Sequence, residues 1–372
     1  MSASNDRMVH RWLVASALAV ILAVAIGGIT RLTESGLSIT EWRPVSGVLP
    51  PRSAAEWDAA YQKYLAIPEA QTVHRGIRLA AFQRLYWWEW VHRLLARVVG
   101  LVLALPYFVL LARGRIRRGH RARLLLLPVL AMAQGALGWY MVRSGLEARV
   151  DVSAYRLTAH LALALAIFVV AVWTALDLRT NELAGPVPRR VVASLFGASA
   201  LTSLTILSGG FVAGLDAGKI FNTFPLMGGA VLPPGYSVFS AWWQNALENP
   251  VAAQFHHRVL AMTTGVVLLL IARTIRSSEA SAASGELRTA ALRMGLVVIM
   301  QVALGITTLL LAVPVALGVL HQVTGVATLT AVLVTTHHAW SGFRTHSQHR
   351  GMVSSPSAPL NGGMPIVPVV RS

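Results

Sequence analysis

The sequence predicts an all-α integral membrane protein with eight transmembrane helices, arranged as two repeated four-helix bundles. Of its 372 residues, 55% are hydrophobic and only 13% are charged, whereas an ordinary soluble domain has about 25% charged residues. One stretch, 294–343, runs for 50 residues without Asp, Glu, Lys or Arg, and a membrane span needs about 20 apolar residues. The second half of the chain also repeats the residue spacing of the first. The low fraction of charged residues and the long uncharged stretch exclude a soluble globular protein.

Hydropathy and length place the eight spans in chain order. They cover roughly residues 10–30, 87–112, 122–142, 156–176, 191–213, 252–272, 293–312 and 315–339. The first apolar stretch follows Arg7 and Arg11 and so has the charge pattern of a signal peptide. It is long for a signal peptide and has no small-x-small cleavage site before Arg31. We therefore interpret it as the first span.

Arginines are concentrated in the connections on one side of the predicted bundle. They fill the N-terminus and the connections 113–123, 177–190 and 273–293. The positive-inside rule places these segments in the cytoplasm. The sequence thus predicts a multi-pass protein of the cytoplasmic (inner) membrane, with both termini in the cytoplasm. The formal net charge of +17 therefore mostly reflects membrane topology, and nucleic acid is not an expected partner. The spans are expected to lie in the lipid bilayer. Residues 344–372 are predicted to form a disordered cytoplasmic tail.

The two halves share the spacing of their glycines, prolines and histidines. The matching pairs are Gly27 with Gly209, Gly28 with Gly210, Gly36 with Gly218, Pro50 with Pro233, His92 with His257, Gly100 with Gly265, Gln134 with Gln301, Gly138 with Gly305 and His160 with His321. Such coincidence indicates a duplication, with an N-terminal bundle over 1–185 and a C-terminal bundle over 186–343. The long outer connections, 31–86 and 214–251, are expected to be irregular. An inverted-repeat transporter is disfavoured because four-helix repeats keep the same orientation.

Four histidines lie at one depth, in the first two turns of the second, fourth, sixth and eighth spans. They are His92, His160, His257 and His321. Ionisable groups inside spans mark functional sites, and paired imidazoles from facing helices are a common way to hold a heme iron. The chain has no cysteine, which excludes disulfides, iron–sulfur clusters and thiolate ligands. Zinc is a weaker alternative because two histidines per bundle fall short of its usual three protein ligands. For any single histidine, a merely structural helix-end role is an equal alternative.

The two halves differ at one position next to these histidines. Glu89 lies one turn before His92, whereas Gln254 takes its place in the second half. A carboxylate at the edge of an apolar pocket can accept a proton, so we expect the first half to do chemistry and the second to hold a cofactor. The alternative is a helix salt bridge from Glu89 to Arg93. Arg93 and Arg258 follow their histidines directly and are predicted to contact heme propionates.

Long motifs along the chain resemble those of the heme A synthase family. They are the run from Gly27 to Ile39 (GGITRLTESGLSI), Glu41-Trp42 with Pro44, Leu49-Pro50-Pro51, the run from Tyr86 to Arg93 (YWWEWVHR), Phe255-His256-His257-Arg258, and His321-Gln322-x-Thr324-Gly325. The resemblance covers all eight spans and leaves out only the two termini. Some family members carry a cysteine pair in an outer loop. This chain resembles the cysteine-free subgroup that is typical of proteobacteria and mitochondria.

The resemblance implies an oxidoreductase of heme biosynthesis that serves cytochrome oxidase assembly. It implies conversion of heme O to heme A, in which the porphyrin C8 methyl group becomes a formyl group through successive hydroxylations and loss of water. The family pattern assigns the substrate heme O to His92 and His160, with Glu89 as the catalytic carboxylate. It assigns a heme b, which passes electrons, to His257 and His321 as axial ligands of the iron.

Partners and a competing function stay open at this stage. The resemblance implies that heme O is delivered by heme O synthase, but it identifies no electron-transfer partner, and a homo-oligomer is compatible with the sequence. A diheme membrane cytochrome b that transfers electrons without modifying heme would suit the composition and the four histidines equally well. The difference between Glu89 and Gln254, together with the loop motifs, favours the synthase.

Overall fold

The computed structural model is almost entirely helical. It describes residues 3–43, 46–147, 150–179, 187–277 and 285–353. The α-helices within these ranges are α1 (Ala3–Leu32), α2 (Ala54–Leu65), α3 (Pro68–Thr72), α4 (Leu79–Ala112), α5 (Arg118–Glu147), α6 (Ala154–Asp177), α7 (Arg189–Gly214), α8 (Trp242–Glu248), α9 (Pro250–Ser277), α10 (Gly285–Leu310) and α11 (Val315–Val353). Two short 3-10 helices, Ser46–Val48 and Ala217–Lys219, lie in the outer connections. The described ranges contain no β-strand.

Eight of these helices are long and apolar enough to cross a membrane, which confirms the predicted number of spans. They are α1, α4, α5, α6, α7, α9, α10 and α11. Several extend beyond the predicted bounds because charged residues that flank an apolar window are also good helix formers. The largest difference concerns the tail predicted from residue 344, since α11 continues to Val353. The sequence has no proline between Val315 and Pro356. The rest of the predicted tail, 354–372, lies outside the described residues.

The spans form two rings of four helices. In one ring, α1 contacts α4, α4 contacts α5, α5 contacts α6 and α6 contacts α1; in the other, α7, α9, α10 and α11 pack in the same cyclic order. Glu34 and Asp216, which the predicted repeat makes equivalent, both have a left-handed backbone, with φ of 53° and 50°. These features support the prediction of two repeated bundles. The predicted boundary at residue 185 lies outside the described residues, and the sidedness of the termini stays a prediction.

The two rings meet through α1 and α6 on one side and α7 and α11 on the other. Gln322 of α11 donates a hydrogen bond to the carbonyl of Val24 in α1, at 3.2 Å. At the outer end, Arg31 donates from Nε to the Ala213 carbonyl at 3.0 Å and pairs through Nη2 with Asp216 at 2.5 Å. Side chains of one ring therefore bond directly to the backbone of the other, which fixes how the two rings dock.

The first outer connection is more ordered than expected. It contains α2 and α3, and its apolar side chains form a small core with the start of α4, in which Tyr64 and Phe82 are fully buried. Ser53 caps α2 by accepting a hydrogen bond from the Glu56 N–H, at 3.2 Å. This connection is therefore a folded cover over the outer ends of the first four spans.

Candidate functional site

Each of the four histidines packs its ring against a glycine on the preceding span. A Cβ atom placed on the glycine would lie close to the ring atom Cε1: 3.0 Å for Gly27 with His92, 3.1 Å for Gly138 with His160, 3.1 Å for Gly209 with His257 and 2.7 Å for Gly305 with His321. Ordinary carbon–carbon contacts are about 3.5–4.0 Å. No larger side chain fits there unless the ring moves. The sequence showed these glycines as repeat markers but gave no sign of the contact.

The second-half histidines lie close together. The ring centroids of His257 and His321 are 6.5 Å apart and their planes are nearly perpendicular, at 89°. Two imidazoles that ligate one metal ion from opposite sides have centroids about 6 Å apart, since a metal–nitrogen bond is about 2 Å long. The pair therefore fits two axial ligands of a single heme iron.

Neighbouring side chains hold the Nδ1 edges of this second pair. Ser208 Oγ lies 2.8 Å from His257 Nδ1 and 2.7 Å from the Thr205 carbonyl oxygen. Gln301 Nε2 lies 3.2 Å from His321 Nδ1 and donates to the His321 carbonyl at 3.1 Å. In the sequence, Gln301 stands out only as part of the repeat. Ser208 was missed, because its one signal is its place directly before Gly209.

The first-half pair has similar surroundings but fewer side-chain bonds. Gln134 donates to the His160 carbonyl at 3.1 Å, as Gln301 does to His321. The Nδ1 atoms of both first-half histidines are buried without a hydrogen-bond partner in the described part of the chain. Buried polar atoms are rarely left unpaired, so these rings have room for a further interaction.

Glu89 lies beside His92 in a network that engages both of its carboxylate oxygens. Oε2 accepts hydrogen bonds from the Ser38 hydroxyl and from the Ile39 N–H, each at 2.7 Å. Oε1 pairs with Arg93 through Nε at 2.9 Å and Nη2 at 2.6 Å. The helix salt bridge considered as an alternative is therefore present, as one part of a larger network. Since Glu89 is only 2% exposed, these partners hold a buried negative charge in one orientation.

The second half lacks this carboxylate network. Gln254 donates from Nε2 to the Phe221 carbonyl at 3.1 Å, and its Oε1 is buried without a partner among the residues that the structure describes. The repeat places Ile220 where the first half has Ser38. The carboxylate and its hydroxyl partner are thus both absent from the second half. Sequence reasoning found Glu89 but missed Ser38, although Ser38 stands in the quoted motif.

Arg93 and Arg258 make the same backbone contacts in the two halves. Arg93 donates to the carbonyls of Ile39 and Glu41 at 2.7 and 2.9 Å. Arg258 donates to the carbonyls of Phe221 and Thr223 at 2.5 and 2.7 Å. Each guanidinium therefore fastens the outer connection of its half beside a site histidine. The predicted contact with heme propionates stays a prediction.

A second polar cluster lies in the folded cover, outside the spans. The Tyr64 hydroxyl is 3.3 Å from Glu69 Oε2 and 2.5 Å from His74 Nδ1, and His74 Nε2 is 3.5 Å from Glu34. Burial raises the pKa of Glu69 to about 8, because desolvation penalises its charged form. Burial likewise raises the pKa of Tyr64 above its ordinary value. Sequence reasoning gave no indication of this cluster.

The ligand set of each histidine pair fits a heme. In the part of the chain that the structure describes, no three side chains among His, Asp and Glu come together as a metal-binding group. A catalytic or structural zinc site usually needs three or four such ligands. Two opposed histidines suffice for a heme, whose porphyrin supplies the other four ligands.

Comparison with known proteins adds a relationship along almost the whole chain. Residues 10–333 match the COX15-CtaA family, described as cytochrome oxidase assembly protein. A protein of Bradyrhizobium diazoefficiens named heme A synthase is 42% identical over 348 residues, which are 92% of this chain and 95% of that protein. Heme A synthases of Rhizobium meliloti and Paracoccus denitrificans are 44% and 43% identical, over 91% of this chain and 90% and 89% of their own lengths.

Fold and site together define a multi-pass membrane protein with a pair of intramembrane histidines in each of two helical rings. The match and the relatives then specify the family. The chain belongs to the COX15-CtaA family of cytochrome oxidase assembly proteins. The resemblance seen in the sequence is thereby confirmed, and the absence of cysteine agrees with the cysteine-free subgroup.

Proposed function

We propose that this protein is a heme A synthase, which oxidises the C8 methyl group of heme O to a formyl group for cytochrome oxidase assembly. Membership of the family and the name of its relatives support the reaction class. One observation carries the assignment to this chain's residues. The two halves share the glycine–histidine contacts, but among the described residues only the first half has a buried carboxylate beside its histidines.

The first bundle is the proposed substrate site. His92 and His160 bind the iron of heme O, and the glycine contacts of their rings set where the porphyrin lies. Their unpartnered Nδ1 atoms suit a site through which substrate and product must pass. The folded cover of the outer connection, fastened by Arg93, keeps bulk water away from the oxidised methyl group.

Glu89 is the proposed catalytic carboxylate, because conversion of a methyl group to a formyl group removes hydrogen from carbon and loses water, and a group that accepts and returns a proton assists both. All four of its close contacts are with donors, so it must exchange one hydrogen bond before it can take up a proton. The Ser38 hydroxyl is the neutral side-chain donor of the set. Its one hydrogen has a second acceptor, the Ser35 carbonyl at 2.9 Å, so the hydroxyl can turn from Glu89 and leave Oε2 free to take up a proton. Ser38 therefore controls when Glu89 can accept a proton.

The second bundle is the proposed site of heme b, with His257 and His321 as axial ligands. When bound there, heme b supplies one-electron transfer. Arg258 Nε is buried without a partner among the described residues, so it retains a donor for a propionate. Arg93 is the candidate in the first bundle by its position only, because its Nε donates to Glu89. Delivery of heme O by heme O synthase, a homo-oligomeric assembly and the assignment of one bundle to each heme remain predictions.

The asymmetry between the bundles gives the test. Glu89→Gln and Gln254→Ala are compared for heme A formation in cells that supply heme O, with the spectrum of the purified protein as the check on folding. Loss of a general base lowers a rate about 10²–10⁴-fold. Glu89→Gln should therefore abolish heme A while the heme b spectrum persists, and Gln254→Ala should retain most of the product. Equal losses in the two variants would contradict the proposal.

A further inference from the structure

We infer that Ser208 is a positioning residue, which fixes the tautomer and ring orientation of His257 and thereby makes the second bundle the site that retains its heme. The inference rests on the proposed function, because it takes His257 to be an axial ligand. It concerns a contact that the first bundle lacks.

The chemistry of the groups around Ser208 determines which of them donates each hydrogen bond. The Thr205 carbonyl oxygen, 2.7 Å from Ser208 Oγ, can only accept, so the hydroxyl donates to it. Ser208 Oγ then accepts from the group 2.8 Å away, which is His257 Nδ1. The proton of neutral His257 is thus held on Nδ1, and Nε2 keeps the lone pair that a metal needs.

The equivalent position of the first bundle cannot do the same. Gly209 and Gly27 are equivalent and pack against their histidines at nearly the same distance, 3.1 and 3.0 Å. The residue before Gly209 is Ser208, whereas the residue before Gly27 is Ile26. His92 Nδ1 is accordingly buried with no partner in the described part of the chain.

This difference matches what each site must do. A hydrogen bond from Nδ1–H to an oxygen makes the opposite nitrogen more basic and fixes the ring orientation, so it strengthens the metal bond. That suits a heme that stays bound through many turnovers. Heme O has to enter the first bundle and the product has to leave, and a ring without this bond can turn away from the iron at lower cost.

The test uses Ser208→Ala in the purified full-length protein. Two quantities are measured: the midpoint potential of heme b, by redox titration of its visible spectrum, and the rate at which heme b passes to apomyoglobin. Loss of a hydrogen bond behind a metal ligand typically costs 10–100-fold in affinity. We expect heme b transfer to be about 10-fold faster or more, and the midpoint potential to rise, because a less basic ligand stabilises the oxidised iron less.

Two further variants separate positioning from structure. Ser203→Ala makes the same substitution in the same helix. Among the described residues, Ser203 Oγ bonds to the Ser199 carbonyl alone, at 2.9 Å, so both quantities should stay at the wild-type values. Ser208→Thr keeps the hydroxyl and should restore most of the potential. The inference is overturned if Ser208→Ala has the potential and transfer rate of Ser203→Ala.

Failure of the proposed function has a different signature. His257→Ala should remove the heme b spectrum of the second bundle. If that spectrum persists in His257→Ala, the second bundle does not hold heme b and the proposed function itself fails. If His257→Ala loses the spectrum while Ser208→Ala leaves both quantities unchanged, only the role of Ser208 is refuted.

Discussion

The four glycine–histidine contacts predict a graded response to a single methyl group. In Gly305→Ala the new Cβ would lie 2.7 Å from His321 Cε1, and in Gly209→Ala it would lie 3.1 Å from His257 Cε1. Relative to a contact of about 3.5–4.0 Å, the first ring must move by roughly 1 Å and the second by about half as much. Ligand geometry tolerates about 0.5 Å. Gly305→Ala should therefore lose most of its bound heme b, whereas Gly209→Ala should bind heme b with reduced affinity.

The assay is the ratio of heme b to purified protein, together with its visible spectrum. Gly197→Ala is the matched control, because Gly197 lies in the same helix as Gly209 and a Cβ there meets nothing within 4 Å. It should keep wild-type heme content and gain up to about 1 kcal/mol in stability from helix propensity. If Gly305→Ala has the heme content and spectrum of Gly197→Ala, the ring contact does not position the ligand and the reasoning is refuted.

Two further predictions concern stability, each measured by thermal unfolding of the purified protein. Burial raises the pKa of Glu69 from 4.5 to about 8, so the folded chain keeps a proton that the unfolded chain loses, and stability should fall as pH rises through that window. Glu69→Gln should weaken this pH dependence: its melting temperature should exceed that of the wild type at pH 8 and equal it near pH 4. An unchanged pH dependence of the melting temperature would contradict a protonated, buried Glu69. In Gly214→Ala a Cβ would lie 2.7 Å from the Cα of Ala154 in the other ring. Backbone atoms cannot move aside as a side chain can, so this overpacking should lower the free energy of unfolding by about 1–3 kcal/mol. The control Gly100→Ala, where a Cβ meets nothing within 4 Å, should not lower the stability of the protein. Equal melting temperatures of the two variants would show that the rings do not pack closely at Gly214.

Features set by composition and spacing along the chain were predictable from the sequence. Hydropathy gave the eight spans because a membrane helix must be apolar over a fixed length. Spacing also identified the four histidines and the difference between Glu89 and Gln254, because an i,i+3 relation on a helix is local. The order of α2 and α3 was missed, since their apolar residues are few and become a core only when folded onto α4.

Contacts between distant parts of the chain were not predictable. Ser38 reaches Glu89 across 51 residues, and its position depends on how Arg93 fastens the backbone of the outer connection. Ser208 gave no signal beyond its place before Gly209, because a serine in a helix commonly bonds to its own helix, as Ser203 does. The equivalent hydrogen bonds of Arg93 and Arg258 to backbone carbonyls were also not predictable, because a sequence shows that a side chain is charged but not which group accepts its hydrogen bonds.

The hemes that the purified protein carries distinguish a heme A synthase from a diheme cytochrome b. The wild-type protein is purified from cells that supply heme O, and its hemes are extracted and separated. The account predicts heme b together with heme O, its hydroxylated intermediate or heme A, with the modified hemes absent from Glu89→Gln. Heme b alone in the wild-type protein would contradict the account and favour a diheme cytochrome b.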